Sequence, residues 1–312
     1  MKGLELSERF YKEYGEPMLK ERFPHLLPLI AVGLVGAGSE CLGYDDDISR
    51  DHDFEAGFCI FLPDETIVDR KAEFELERAY SALPKEFMGY KRSVLSPVGG
   101  NRHGVMRTAE FFAGKTGTPD GVLSLGDWFF LSEQSLAEAT DGKIFYDGLG
   151  EVTAIRERLA YMPNDVRLKK LAGNLLVMGQ AGQYNYPRCI ARGDTAAAQL
   201  AVFEFVKAAL NVAFLLNRRY APYYKWTFRA LAELSVLSEL YGELEYLISS
   251  ANGEEAGRKA EIIEGVCARV ISELRAQALS GAACEEIEAH AYAVNDKISD
   301  GGVRNLHVLY AI

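Results

Sequence analysis

The sequence predicts an α+β fold. Residues 1–150 form an N-terminal domain with a mixed β-sheet and helices, and residues 151–312 an all-α helical bundle. Three observations predict it. The 312 residues suit two domains at about 150 residues each. Residues 1–150 hold 18 of the 29 glycines and interleave short apolar runs with amphipathic stretches. The remainder reads as periodic helical segments with short breaks between them, which is the pattern of a bundle.

Taken in order, Ser7 to Phe23 is helical in character. Ile30 to Gly36 is a short continuous apolar run closed by glycine, as a buried strand is. A polar loop leads to a second apolar run, Phe58 to Leu62, stopped by Pro63. Glu65 to Leu83 is charged and periodic, a surface helix, and Gly104 to Phe112 reads as a third strand after the turn at Pro97–Asn101. In the second half, helices are expected over Asp165–Met178, Asp194–Asn217, Trp226–Ser249 and Ala256–Leu279. Asp194 is the N-cap of the second of these, and Asn252-Gly253 separates the last two.

Lys+Arg 34 against Asp+Glu 45 gives a net charge of −11, which argues against a non-specific nucleic-acid binder. The apolar stretch Leu26–Gly38 is shorter than the ~20 residues needed to span a bilayer. The run Ala196–Leu216 is long enough but carries Glu204, Lys207 and Asn211, and it reads as a core helix. The N-terminus is charged and lacks a signal-peptide core. Five cysteines without a CxxC pair support neither a disulfide framework nor a zinc site. A cytoplasmic protein without membrane attachment is expected, and its oligomeric state stays open.

Three tempting motifs fail. Gly114-Lys115-Thr116 ends like a P-loop, but Ala109 stands where the first glycine belongs. Gly36-Ala37-Gly38 opens like a dinucleotide fingerprint, but Cys41 takes the place of its third glycine. Ser39 lacks the glycines that flank a nucleophile elbow. One stretch survives, Val35 to Phe54. Its small residues Gly38 and Ser39, just past a buried strand, let backbone N–H groups and a hydroxyl approach an anion. Asp51 and Asp53, if they open the strand running to Leu62, place both carboxylates on one face with His52 on the other. Such a pair of hard oxygen donors suits Mg²⁺ or Mn²⁺. Asp45-Asp46-Asp47 reads as a solvated loop.

A Gly-Ser turn followed after eleven residues by Asp51-His52-Asp53 resembles the nucleotidyltransferase superfamily. More narrowly, Gly43-Tyr44-Asp45-Asp46 with Ser49-Arg50-Asp51-His52-Asp53 looks like the bacterial family named domain of unknown function 4037. Gly182–Arg188 and Asn217–Trp226 match it as well. The resemblance implies metals held by Asp51 and Asp53, a nucleoside triphosphate co-substrate, and Gly38, Ser39 and Arg50 beside the nucleotide. It also implies a third carboxylate from a later strand, for which Glu110 is the candidate and Asp127 a weaker one. The implied reaction moves AMP, most simply from ATP, onto a hydroxyl of a small-molecule acceptor in a cleft between the domains. Two other classes stay open: a nucleotide-binding regulatory protein without turnover, and a protein-interaction partner of toxin–antitoxin type.

The second half adds two clusters. Tyr184, Asn185, Tyr186, Arg188 and Arg192 form one, and Arg218, Arg219, Tyr220, Tyr223, Tyr224, Lys225 and Trp226 the other. Aromatic faces stack bases, and Arg or Lys complements phosphates, so Tyr184, Asn185, Arg188 and Lys225 are candidate nucleotide-binding residues. The same residues equally suit ring packing and capping at helix ends, as the nearby Pro187 and Pro222 suggest. His307 reads as structural.

Overall fold

The computed structural model describes residues 1–50, 54–92, 102–310 and 312, without the side chain of Arg50. The chain is α+β, with a small mixed sheet and many helices. It divides into two compact units, Met1–Ser124 with Leu131–Ala160, and Leu125–Phe130 with Tyr161–Ile312.

The first unit opens with α1 (Gly3–Phe10), a π-helical stretch (Tyr11–Gly15) and α2 (Glu16–Arg22). Its exposed side carries the i,i+4 pairs Glu5–Arg9, Glu8–Lys12 and Glu16–Lys20. Then come β1 (Ala31–Leu34), α3 (Ser39–Leu42), β2 (Cys59–Leu62) and α4 (Arg70–Ser81). Asp69 caps α4, accepting from Ala72 N at 2.8 Å. A hairpin of β3 (Glu86–Phe87) and β4 (Tyr90–Lys91) follows, then β5 (Gly104–Arg107) and α5 (Thr108–Thr116). With α6 (Leu125–Phe130) set aside for the second unit, the first ends with α7 (Glu133–Thr140), β6 (Lys143–Asp147) and α8 (Glu151–Leu159). The boundary expected at residue 150 falls at Ala160, because α8 packs on α7 and β6.

The sheet order is β5-β2-β1-β6. β1 pairs antiparallel with β2, setting Gly33 opposite Cys59, while β2 pairs parallel with β5, setting Cys59 opposite Gly104 and Leu62 opposite Arg107. One face packs Val32, Ile60 and Leu62 against Leu6, Phe10, Leu19 and Leu76 of the helices. On the other, Phe61 meets the Phe111 ring edge-on at 5.2 Å. The strand expected over Gly104–Phe112 therefore ends at Arg107 and turns into α5. Phe111 and Phe112 then sit side by side on a helix, with ring centroids 5.1 Å apart.

The second unit is helical throughout its described residues: α6, α9 (Asn164–Met178), α10 (Tyr186–Ala191), α11 (Thr195–Leu216), α12 (Tyr224–Leu231), α13 (Tyr241–Ser249), α14 (Ala256–Ala276), α15 (Ile287–Asn295) and α16 (Gly301–Asn305). A second π-helical stretch, Gly179–Asn185, joins α9 to α10. α6 joins this unit by packing on α9, with Phe129 and Phe130 each 5.4 Å from the Tyr310 ring. Asp194 caps α11 as expected, accepting from Ala197 N at 2.9 Å. Among the described residues, α11 is the helix long and apolar enough to cross a membrane, and 61% of its apolar window is buried inside the fold. The single helix expected over Trp226–Ser249 is broken into α12 and α13. Leu237 adopts φ 63 there, and the Asn217 amide takes over the backbone of Val236.

Burial pushes the Tyr11 and Tyr80 hydroxyls up from 10.0 to about 12. A raised folded value contributes stability in full below the unfolded value and loses it as pH climbs toward the folded one. Stability should therefore fall between pH 10 and about 12, as the unfolded chain releases protons that the folded chain keeps. Tyr11→Phe should flatten that fall, measured as denaturation midpoints at about pH 9 and about pH 11. An unchanged slope contradicts the assignment.

Candidate functional site

The sheet's strand directions gather four chain segments at one end. β1 ends there, and β2, β5 and β6 start there. Past β1 the chain turns through Gly38, whose φ of 131 lies outside the range of ordinary side chains, and Ser39 starts α3. A Cβ on Gly38 would stand 2.0 Å from Arg102 Nη2 and 2.6 Å from the Glu40 carboxylate oxygens. Arg102 Nη2 donates to Ala37 O at 2.7 Å and to Glu40 Oε1 at 3.0 Å. The turn thus sits under a guanidinium bridged to a carboxylate.

Next to this pair, His103 Nδ1 lies 3.0 Å from Glu55 Oε1. Burial pushes the Cys41 thiol well above its usual value, with the Glu40 charge adding to it, and burial pushes Cys59 up to about 12. Both thiols stay protonated and are poor nucleophiles. No local sequence pattern marks Glu40, Glu55, Arg102 and His103 as site residues. Glu40 and Arg102 are 62 positions apart, and strand pairing alone unites them.

Asp51, His52 and Asp53 lie outside the described residues, as does the Arg50 side chain. Glu110 is described, and the structure does not bring it to Gly38. It stands in the first turn of α5, not on a strand, past Arg107 and therefore at the opposite end of the sheet. Three residue steps along β2, about 10 Å, separate the two ends. Glu110 there lines a surface pocket of about 490 Å³ with Asp64, Glu65, Arg70, Glu73 and Arg107. Asp127 belongs to α6, in the second unit. Asp45 corrects the expectation of a solvated loop: it is 4% exposed and accepts from Gly3 N at 2.9 Å, fastening the start of α1. The Gly114-Lys115-Thr116 tripeptide closes α5, where Lys115 pairs with Glu138 and Thr116 bonds back to Phe112 O, so it forms no phosphate loop.

In the second unit the candidates separate. Tyr184, Asn185 and Arg188 are exposed, and the Arg188 guanidinium stacks over the Tyr184 ring at 3.6 Å. Tyr186, expected in the same cluster, is instead a core residue, 1% exposed, and the adjacent Gln183 is structural too, bonding Glu264 at 2.7 Å and accepting from Ile287 N at 3.0 Å. Gly182 leaves no room for a side chain, since a Cβ would meet the Phe205 ring at 2.4 Å. Lys225, exposed on α12, lies 4.9 Å from the Trp226 ring. Tyr186 bonds Asn252, which in turn bonds Thr195 O at the start of α11, whereas α12 follows the helix's far end. The length of α11, about 31 Å at 1.5 Å per residue, keeps Lys225 from Tyr184 and Arg188. His307 is structural, accepting from Leu309 N at 3.2 Å.

The model of a family described as Domain of unknown function (DUF4037) matches residues 128–227. That span holds both second-half motifs, and the Gly38–Asp53 stretch lies outside it. No curated protein matches the chain.

These placements set an order of tolerance. Gly182→Ala should cost about 1–3 kcal/mol by overpacking. Arg188→Ala and Lys225→Ala, on exposed side chains, should stay within about 1 kcal/mol of wild type. Urea denaturation checks the order, and a reversal would show that the exposed cations are structural.

Proposed function

We propose that the chain is a Mg²⁺-dependent nucleotidyltransferase that moves a nucleoside monophosphate, AMP from ATP, onto a hydroxyl of a small molecule. The observation that carries the reading is the meeting of the Gly38–Ser39 turn with the starts of β2 and β5 at one end of a mixed sheet, beneath Arg102. The Asp51-His52-Asp53 segment precedes β2 in the sequence by a short stretch.

Among the described residues no group of three His, Cys, Asp or Glu side chains could hold a metal ion. Asp51 and Asp53 would hold the metal, since their carboxylate oxygens are donors of the kind Mg²⁺ and Mn²⁺ take. Bound there, the ion would neutralise phosphate charge. The side-chain-free turn at Gly38 lets phosphate oxygens reach backbone N–H groups and the Ser39 hydroxyl. Arg102 then exchanges the Glu40 carboxylate for a phosphate oxygen. The acceptor hydroxyl attacks the α-phosphorus and releases its proton to solvent, the bond from phosphorus to the β-bridging oxygen breaks, and its electron pair leaves with pyrophosphate.

One observation favours a second reading, a nucleotide-binding protein without turnover. Glu110, the candidate third carboxylate, stands at the wrong end of the sheet. Of the described carboxylates at the Gly38 end, Glu40 and Glu55 are engaged by Arg102 and His103.

Pyrophosphate release from each of the four common nucleoside triphosphates, with Mg²⁺ or Mn²⁺, tests the proposal. Wild type should release it, fastest from ATP, and an Asp51→Asn/Asp53→Asn double variant should not. Binding without release supports the second reading, and absence of both overturns the two together.

A further inference from the structure

The second unit gathers two arginines on one neutral atom. Arg167, in the first turn of α9, donates to the Asn164 side-chain oxygen from Nη2 at 3.0 Å and from Nε at 3.3 Å. Arg218, just past α11, donates to the same oxygen from Nη2 at 3.4 Å. Arg167 is 3% exposed and its Nη1 also reaches Leu215 O at 3.4 Å, while Asn164 and Arg218 are open to solvent.

Among the described residues neither guanidinium has a carboxylate at ion-pairing distance. Asp165, the nearest acid in sequence, is engaged elsewhere: its two oxygens accept from Ser299 N at 3.1 Å and Asp300 N at 2.8 Å. Burial first, and then the charge of Arg218, push the Arg167 guanidinium below its usual value, while Tyr161 beside it acts the other way. Tyr161 stacks on Tyr220 at 5.2 Å and so lends the cluster a rigid aromatic side. Arg218 also holds φ 51, a costly conformation for a residue with a side chain, and its guanidinium is delivered to Asn164 from there.

Two like charges converging on a neutral amide repel each other and leave N–H donors over. A dianion satisfies both at once, since guanidinium forks match phosphate oxygens. We propose that Asn164, Arg167 and Arg218 form a binding site for a compact dianion of the phosphate class, whether free phosphate or the phosphate of a monoester. The site lies within the second unit and is independent of the nucleotidyltransferase reading at Gly38.

Isothermal titration calorimetry on the full chain, with inorganic phosphate and separately with AMP at constant ionic strength, tests it. At least one of the two should bind. AMP binding more tightly identifies an ester as the ligand, and phosphate binding more tightly identifies the free ion. Arg218→Ala should weaken binding by about tenfold or more, with the melting temperature kept. Arg218→Gly, which suits the backbone at φ 51, should lose as much, and Arg218→Lys should recover part. The Asp51→Asn/Asp53→Asn variant should bind like wild type. Failure of both probes to bind wild type, undiminished binding in the Arg218 variants, or loss of binding in the Asp51/Asp53 variant would overturn the proposal.

Discussion

The antiparallel pairing of β1 with β2 is the constraint on which the candidate site depends. Setting Gly33 opposite Cys59 places the turn after β1 beside the start of β2, and the parallel partner β5 brings Arg102 and His103 to the same end. A shift of one residue would turn every side chain of a strand to the other face. The buried faces forbid that shift, because Val32, Ile60 and Leu62 pack into one core while Phe61 packs into another. Packing therefore holds the Gly38 turn under Arg102, though no residue of the turn contributes much to the core.

The second unit uses buried cations without carboxylates to fasten its loops. Lys169 is 0% exposed and donates to Asn295 Oδ1 and to the carbonyls of Arg304 and Leu306, tying the segment after α16 to α9. Lys259, equally buried, donates to Ser250 O, Asn252 Oδ1 and Gln199 Oε1 and so fixes the break between α13 and α14. Burial lowers the pKa of both, since an ammonium taken from water loses its hydration and regains part of it from these oxygens. The Arg167–Arg218 pair differs because it shares one neutral oxygen at an open surface.

What was legible in the sequence follows from where the physical signal is local. Continuous apolar runs mark β1 and β2, and long periodic stripes mark α11 and α14, because burial writes itself directly into such segments. β6 carries no such signal: Lys143–Asp147 is a half-buried edge strand with a charge at each end. The first turn of α5 reads as strand because it continues the run of β5 directly, while tertiary packing of Phe111 and Phe112 decides for helix. At the candidate site, Gly38 and Ser39 were legible as a turn after an apolar run. Which end of the sheet receives Glu110, and which distant residue covers the turn, depend on strand direction, and no local pattern carries that.

The most direct measurement is an anomalous difference map from crystals grown with Mn²⁺ and a non-hydrolysable ATP analogue. The account predicts a manganese peak between the carboxylates of Asp51 and Asp53, with the triphosphate against Gly38 and Ser39 and Arg102 turned from Glu40 onto a phosphate oxygen. A nucleotide bound elsewhere, with the Arg102–Glu40 pair still closed over the turn, would contradict it.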